Sequence, residues 1–104
     1  MKTLLILTPH MSTGGCPQVV TKKVELLKDC YNIFVVEWEM IAWHFVVQRN
    51  RVISMIGDKF ISLSENKEYE LFNIIEDHKV DYIMIEEFSE TFIPTHIMKR
   101  LYSK

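Results

Sequence analysis

Hydrophobic residues fall along this chain in short runs, separated by segments with helical spacing or turn residues. The first run, Thr3–Thr8, is continuous rather than alternating, which is typical of a strand buried on both faces of a parallel sheet. A loop with two glycines and two prolines follows, and from Pro17 a helix is predicted that ends near Asp29. Its apolar positions recur at helical spacing: Val20, Val24 and Leu27. Its lysines are left for solvent: Lys22, Lys23 and Lys28.

The next segment, Tyr31–Trp38, is rich in β-branched and aromatic residues and predicts a second strand, so the chain opens with a βαβ unit. Trp43–Gln48 predicts a further strand. Gln48–Arg51 is a polar island, for which a solvated turn is the favoured interpretation and a phosphate contact the alternative. Val52–Ile56 fits either a hairpin partner or a short helix ended by Gly57, and its periodicity leaves both open.

The last part of the chain repeats the alternation of strand and helix. Lys59–Leu63 alternates between apolar and polar residues, which predicts a short strand near an edge of the sheet. Ser64 is the predicted cap of the helix that follows. That helix has one apolar face: Leu71, Ile74, Ile75 and His78. Val80–Ile85 predicts another strand, and Thr95–Tyr102 a final helix.

This alternation, with short connections, predicts one α/β sandwich over residues 1–104, built on a mainly parallel sheet. A chain of 104 residues can bury one core but not two. In such sheets ligands bind beyond the carboxyl ends of the strands. Two loops take that position in the prediction, residues 9–17 and residues 86–94.

Composition and charge narrow the function classes. With 48% hydrophobic residues the chain is not disordered, and a formal net charge of −2 leaves no basic surplus for binding nucleic acid. The longest uncharged apolar run, Thr3–Pro9, is too short to span a bilayer and no cleavage pattern follows it, so a cytoplasmic protein is expected. Cys16 and Cys30 match no metal or redox spacing and are expected as reduced thiols. The histidines show no metal-ligand spacing either, and we expect neither a metal nor a cofactor.

Gly14 and Gly15 lie between a predicted strand and a predicted helix. Exposed amides there can approach an anion closely, and the positive end of the helix favours one. The pattern is neither the dinucleotide-binding fingerprint nor the phosphate loop of ATPases. A purely structural turn explains the two glycines equally well.

Glu86 and Glu87 come directly after a predicted strand, where one carboxylate can accept hydrogen bonds from a hydroxylated ligand or act as a base. Adjacent strand residues point in opposite directions, so at most one of the two faces a ligand. A solvated loop is the favoured alternative. His10 is the functional candidate among the histidines because it lies in the glycine loop, and a hydrogen-bonded loop histidine is its structural alternative.

Two stretches resemble a known family. Leu5–Val20, with its glycine pair and Pro17 at the helix entry, is similar to the opening of family-4-like glycosyltransferases of the GT-B architecture. Val80–Glu87 resembles the family's "P-D-I-V-H-x-E" strand and loop, with Val80 at the usual proline and Ile85 near the usual histidine. The similarity spans most of the chain and implies a Rossmann-like three-layer sandwich.

In that family the cleft lies between two Rossmann-like domains. The resemblance therefore implies that this chain is the N-terminal, acceptor-side domain of a transferase that uses a nucleotide sugar. It also implies two groups of contact residues: Gly14, Gly15 and Gln18 facing the donor diphosphate, and His10, Glu86 and Glu87 on the acceptor side. It assigns no catalytic residue.

The family's C-terminal, donor-binding domain has no counterpart in this chain. The resemblance thus implies a domain that engages a nucleotide-sugar donor and a sugar or glycan acceptor only with that missing domain, and that is inactive alone. The exposed interdomain face is then a candidate surface for a homo-oligomer. The alternative function is a non-catalytic α/β interaction domain whose exposed aromatics pack against a partner: Trp38, Trp43 and Phe92.

Overall fold

Four parallel strands form the sheet in the computed structural model, which describes residues 1–11, 15–39, 47–86 and 94–102. In chain order they are β1 (Lys2–Thr8), β2 (Tyr31–Glu37), β3 (Phe60–Ser62) and β4 (Tyr82–Ile85). Their order across the sheet is β3-β2-β1-β4, and Leu5 of β1 lies opposite Phe34 of β2 and Ile83 of β4. The four strand predictions at these places are confirmed, and β3 lies at an edge.

The described ranges contain four α-helices: α1 (Gly15–Leu27), α2 (Val47–Ile56), α3 (Lys67–Asp77) and α4 (Thr95–Tyr102). α1 and α2 pack on one face of the sheet and α3 and α4 on the other, since each pair contributes to a different buried apolar cluster. The chain is therefore an α/β sandwich of three layers on a parallel sheet, as expected of a Rossmann-like fold. None of these helices is long and apolar enough to cross a membrane.

β1 is one of the two inner strands of the sheet and contributes side chains to both apolar clusters. Leu4 and Ile6 pack towards α1 and α2, whereas Leu5 and Leu7 pack towards α3 and α4. This division follows from the alternation of side chains along a strand. Because both faces of β1 are covered, its sequence is a continuous apolar run rather than an alternating one.

The direction in which the sheet grows reverses at β1. From β1 the chain adds β2 and then β3 on one side, and it crosses back to add β4 on the other. The amide of Glu86, just beyond β4, donates to the carbonyl of Leu7 at 3.0 Å, so the carboxyl ends of β4 and β1 lie side by side. Such a switch point is where open parallel sheets bind ligands.

The prediction for the middle of the chain is wrong in part. Val47 and Gln48 begin α2 instead of ending a strand, and Arg49–Arg51 is helical rather than a solvated turn. Of the two alternatives for Val52–Ile56 the helix is correct, and Gly57 follows it with φ +64°, the left-handed conformation that ends many helices. Residues 43–46 of the predicted strand lie outside the described residues.

The start of α3 also differs from the prediction. Ser64 is not the cap: the residue before the helix is Asn66, and its side chain makes no capping bond. Glu70 reaches back instead, and its carboxylate accepts from the amides of Ser64 at 3.1 Å and Asn66 at 3.0 Å. A first-turn carboxylate thus satisfies amides ahead of the helix, which is the reverse half of a capping box.

Trp38, one of the three aromatics on which the interaction-domain alternative depends, is not exposed. Its side chain packs in the cluster on the α3 and α4 side, directly after β2. Trp43 and Phe92 lie outside the described residues.

The inner position of β1 predicts a large difference between two leucine truncations. Leu7→Ala removes a fully buried side chain and should lower the free energy of unfolding by about 2–5 kcal/mol through lost burial and a cavity. Leu26→Ala, at a position 67% exposed on α1, should change it by less than about 0.5 kcal/mol. Urea unfolding of both variants measures the difference, and equal losses would contradict the placement of β1.

Candidate functional site

The sequence predicts ligand-binding residues after β1 and after β4. The carboxyl ends of these two strands lie side by side, at one edge of the sheet. His10 is half-buried beyond β1, and Thr8 donates its hydroxyl to the His10 carbonyl at 3.2 Å. Glu86 follows β4 and is only 7% exposed. Gly15 is the first residue of α1. Gly14 and Glu87 lie outside the described residues.

Lys23 connects α1 to the end of β4. Its ammonium group forms an ion pair with the carboxylate of Glu86, although the helical pattern alone assigned this lysine to solvent. A buried carboxylate needs such a partner because an isolated charge is costly to remove from water. The pair places one cation and one anion at the switch point between β1 and β4.

The N-terminal end of α1 carries the positive end of the helix dipole. The first amides of a helix lack partners within the helix, and their partial charge attracts anions. The first turn of α1 contains no acidic residue, whereas the first turn of α3 contains Glu68 and Glu70. Gln18, in the first turn of α1, is exposed. Of these two helix ends, α1 is therefore the one suited to an anionic ligand.

A second group of charges, beside this edge, was not identified from the sequence. Glu37, the last residue of β2, is fully buried. Its Oε2 accepts from the Met11 amide at 2.6 Å and from Arg49 Nη2 at 2.5 Å, and its Oε1 accepts from Ser62 Oγ at 2.7 Å. This carboxylate therefore joins the segment after β1, α2 and the end of β3.

The interpretation of Arg49 as part of a solvated turn is wrong because this guanidinium is buried against Glu37. One signal for the pair was present in the sequence. Glu37 ends the apolar strand Tyr31–Glu37 and is followed by Trp38, and a carboxylate in such a run needs a buried cation. No rule of spacing identifies which of the chain's lysines and arginines that cation is.

No protein-family model, no curated protein and no solved structure matches this chain. Within the described ranges, no three histidine, cysteine, aspartate or glutamate side chains are grouped so as to hold a metal ion. The site is thus defined by its geometry: a helix end without acidic residues, the Lys23–Glu86 pair, and the buried carboxylate of Glu37 beside them.

Two arginines of α2 give a test of the buried pair. Arg49→Met leaves the Glu37 carboxylate buried without its cation and should lower the free energy of unfolding by about 3–5 kcal/mol. Arg51→Met breaks the exposed pair with Glu25 and should cost about 1 kcal/mol or less.

The double variant Glu37→Leu/Arg49→Met removes both buried charges and should recover part of the loss caused by Arg49→Met, because the Met11 amide and the Ser62 hydroxyl then lack their acceptor. Thermal or urea unfolding of the three variants measures these differences. A loss for Arg49→Met as small as that for Arg51→Met would show that the Glu37 charge is not buried in solution.

Proposed function

We propose that this chain is the N-terminal, acceptor-side domain of a glycosyltransferase of the GT-B architecture, which transfers a sugar from a nucleotide-sugar donor to an acceptor. The observation that supports it best is the reversal of the sheet at β1. That reversal puts the start of α1 and the buried Glu86 at adjacent strand ends. In the resembling family these two places face the donor diphosphate and the acceptor.

The chemistry of the two places fits the two substrates. A diphosphate carries negative charge, and the first turn of α1, at the positive end of the helix dipole, contains no acidic residue. Gly14, Gly15 and Gln18 are the donor-facing residues of the proposal. A sugar acceptor carries hydroxyl groups, for which the carboxylate of Glu86 or of Glu87 and the imidazole of His10 are suitable partners.

Lys23 limits what Glu86 can do. The Glu86 carboxylate engages the Lys23 ammonium group through Oε1, and its oxygens are hydrogen-bond acceptors, so Glu86 is suited to bind and orient an acceptor hydroxyl. We therefore assign Glu86 to acceptor binding and leave the catalytic residues unassigned.

Transfer requires a second domain in this proposal. The leaving diphosphate and the acceptor hydroxyl must be held together with water excluded, and the edge of one sheet covers only one side of such a complex. A donor-binding Rossmann-like domain would supply the other side, and this domain alone would be inactive. A cytoplasmic location, where an exposed free thiol such as Cys30 stays reduced, belongs to the same proposal.

Titration with UDP and GDP, followed by amide NMR, tests the anion-binding half of the proposal. The amides of Gly15 and Gln18 should shift in a saturable way at millimolar ligand because the diphosphate binds at the start of α1. Uridine and guanosine, which lack phosphate, should leave these amides in place.

The first turn of α3 is the matched control within the chain. Amides of Glu68 and Tyr69 should not move, because the acidic residues there disfavour an anion. Unmoved Gly15 and Gln18 signals would count against the proposed function. Equal movement at both helix ends would show unspecific anion binding and would also count against it.

A further inference from the structure

We infer that Glu37 is a positioning residue of the candidate site, whose buried carboxylate fixes the path of the chain from β1 towards α1. The functional part of the inference rests on the proposed function, because it assumes that the start of α1 binds the diphosphate. The structural part, that Glu37 positions Met11, rests on the hydrogen bond that the Met11 amide donates to the Glu37 carboxylate.

The segment after β1 is held from the end of β2 at several points. The amides of Trp38 and Glu39 donate to the carbonyls of Thr8 at 2.9 Å and Pro9 at 3.0 Å. The Met11 amide then donates to Glu37 Oε2 at 2.6 Å, and the Met11 side chain is fully buried. In sequence, three residues separate Met11 from Gly15 of α1. Met11 is thus the last described residue ahead of α1, and its position is held by Glu37.

The carboxylate is itself oriented by its other partners. Arg49 approaches from α2 and Ser62 from the end of β3, so both oxygens of Glu37 have donors from outside β2. Hydrogen bonds to a charged acceptor in a buried place are stronger than neutral ones. An apolar side chain could fill the same volume but could not accept from the Met11 amide.

Two double variants separate the acceptor from the charge. Glu37→Leu/Arg49→Met removes both charges and the acceptor for Met11. Glu37→Gln/Arg49→Met removes both charges but keeps an acceptor, because the glutamine carbonyl can face the Met11 amide while its NH2 group donates to Ser62. A role limited to core packing predicts the same behaviour for the two variants.

Amide hydrogen exchange of the full chain is the first measurement. The Met11 amide should exchange at least about tenfold faster in Glu37→Leu/Arg49→Met, as the worth of a hydrogen bond to a charged group implies. It should remain much closer to the wild-type rate in Glu37→Gln/Arg49→Met. The Leu5 amide of β1 should not change in either, and it reports that the fold is intact. Equal Met11 protection in both variants would overturn the inference.

The unaltered protein gives a measurement that does not depend on the folding of variants. Its Met11 amide should be protected from exchange to a degree comparable with the amides of β1. Exchange at the rate of an open loop would overturn the inference directly.

UDP affinity is the second measurement and connects the inference to function. Glu37→Leu/Arg49→Met should weaken UDP binding several-fold while Glu37→Gln/Arg49→Met binds nearly as the wild type. Leu26→Ala, at an exposed position of α1, should leave the affinity unchanged. Lost Met11 protection with unchanged UDP affinity would overturn the positioning role.

If the wild-type protein binds no UDP, the proposed function and the functional half of this inference fail together. Hydrogen exchange at Met11 then still decides whether Glu37 fixes the segment after β1, so the two failures are distinguishable.

Discussion

The parallel pairing of β1 with strands on both sides is the constraint on which the rest of the structure depends. β1 pairs with β2 and β4 and is covered by helices on both faces. Its residues Leu4–Leu7 are therefore all buried, on alternating faces of the sheet. The same pairing fixes the edge at which the chain leaves β1 and β4. The candidate site is thus a consequence of how the core is built.

Charged residues gather at this edge in a regular way. Glu37 ends β2 and is paired with Arg49 of α2, and Glu86 follows β4 and is paired with Lys23 of α1. Both of these carboxylates are therefore paired with a cation on α1 or α2, the two helices that cover the same face of the sheet. These pairs connect α1 and α2 to residues at the ends of β4 and β2.

The contrast between the two helix ends carries the functional argument. α3 begins with two acidic residues, of which Glu70 accepts from the amides of Ser64 and Asn66 and Glu68 pairs with Arg100. α1 begins without them, and Lys23, further along the same helix, pairs with Glu86 at the switch point of the sheet. An anionic ligand at α1 would supply the negative charge that α3 obtains from its own sequence. This contrast is the physical basis of the proposal that a diphosphate binds at the start of α1.

The amino-acid sequence by itself determined the strand and helix order at both ends of the chain, because continuous apolar runs and helical spacing are local signals that burial imposes directly. It did not determine α2, since Arg49 reads as a solvent residue until its carboxylate partner is known. Nor did it assign Lys23 to Glu86, 63 positions away. Only the tertiary structure decided these pairs. A charge can be buried only where the fold brings an opposite charge beside it, and the spacing of residues along the sequence does not show which residues the fold brings together.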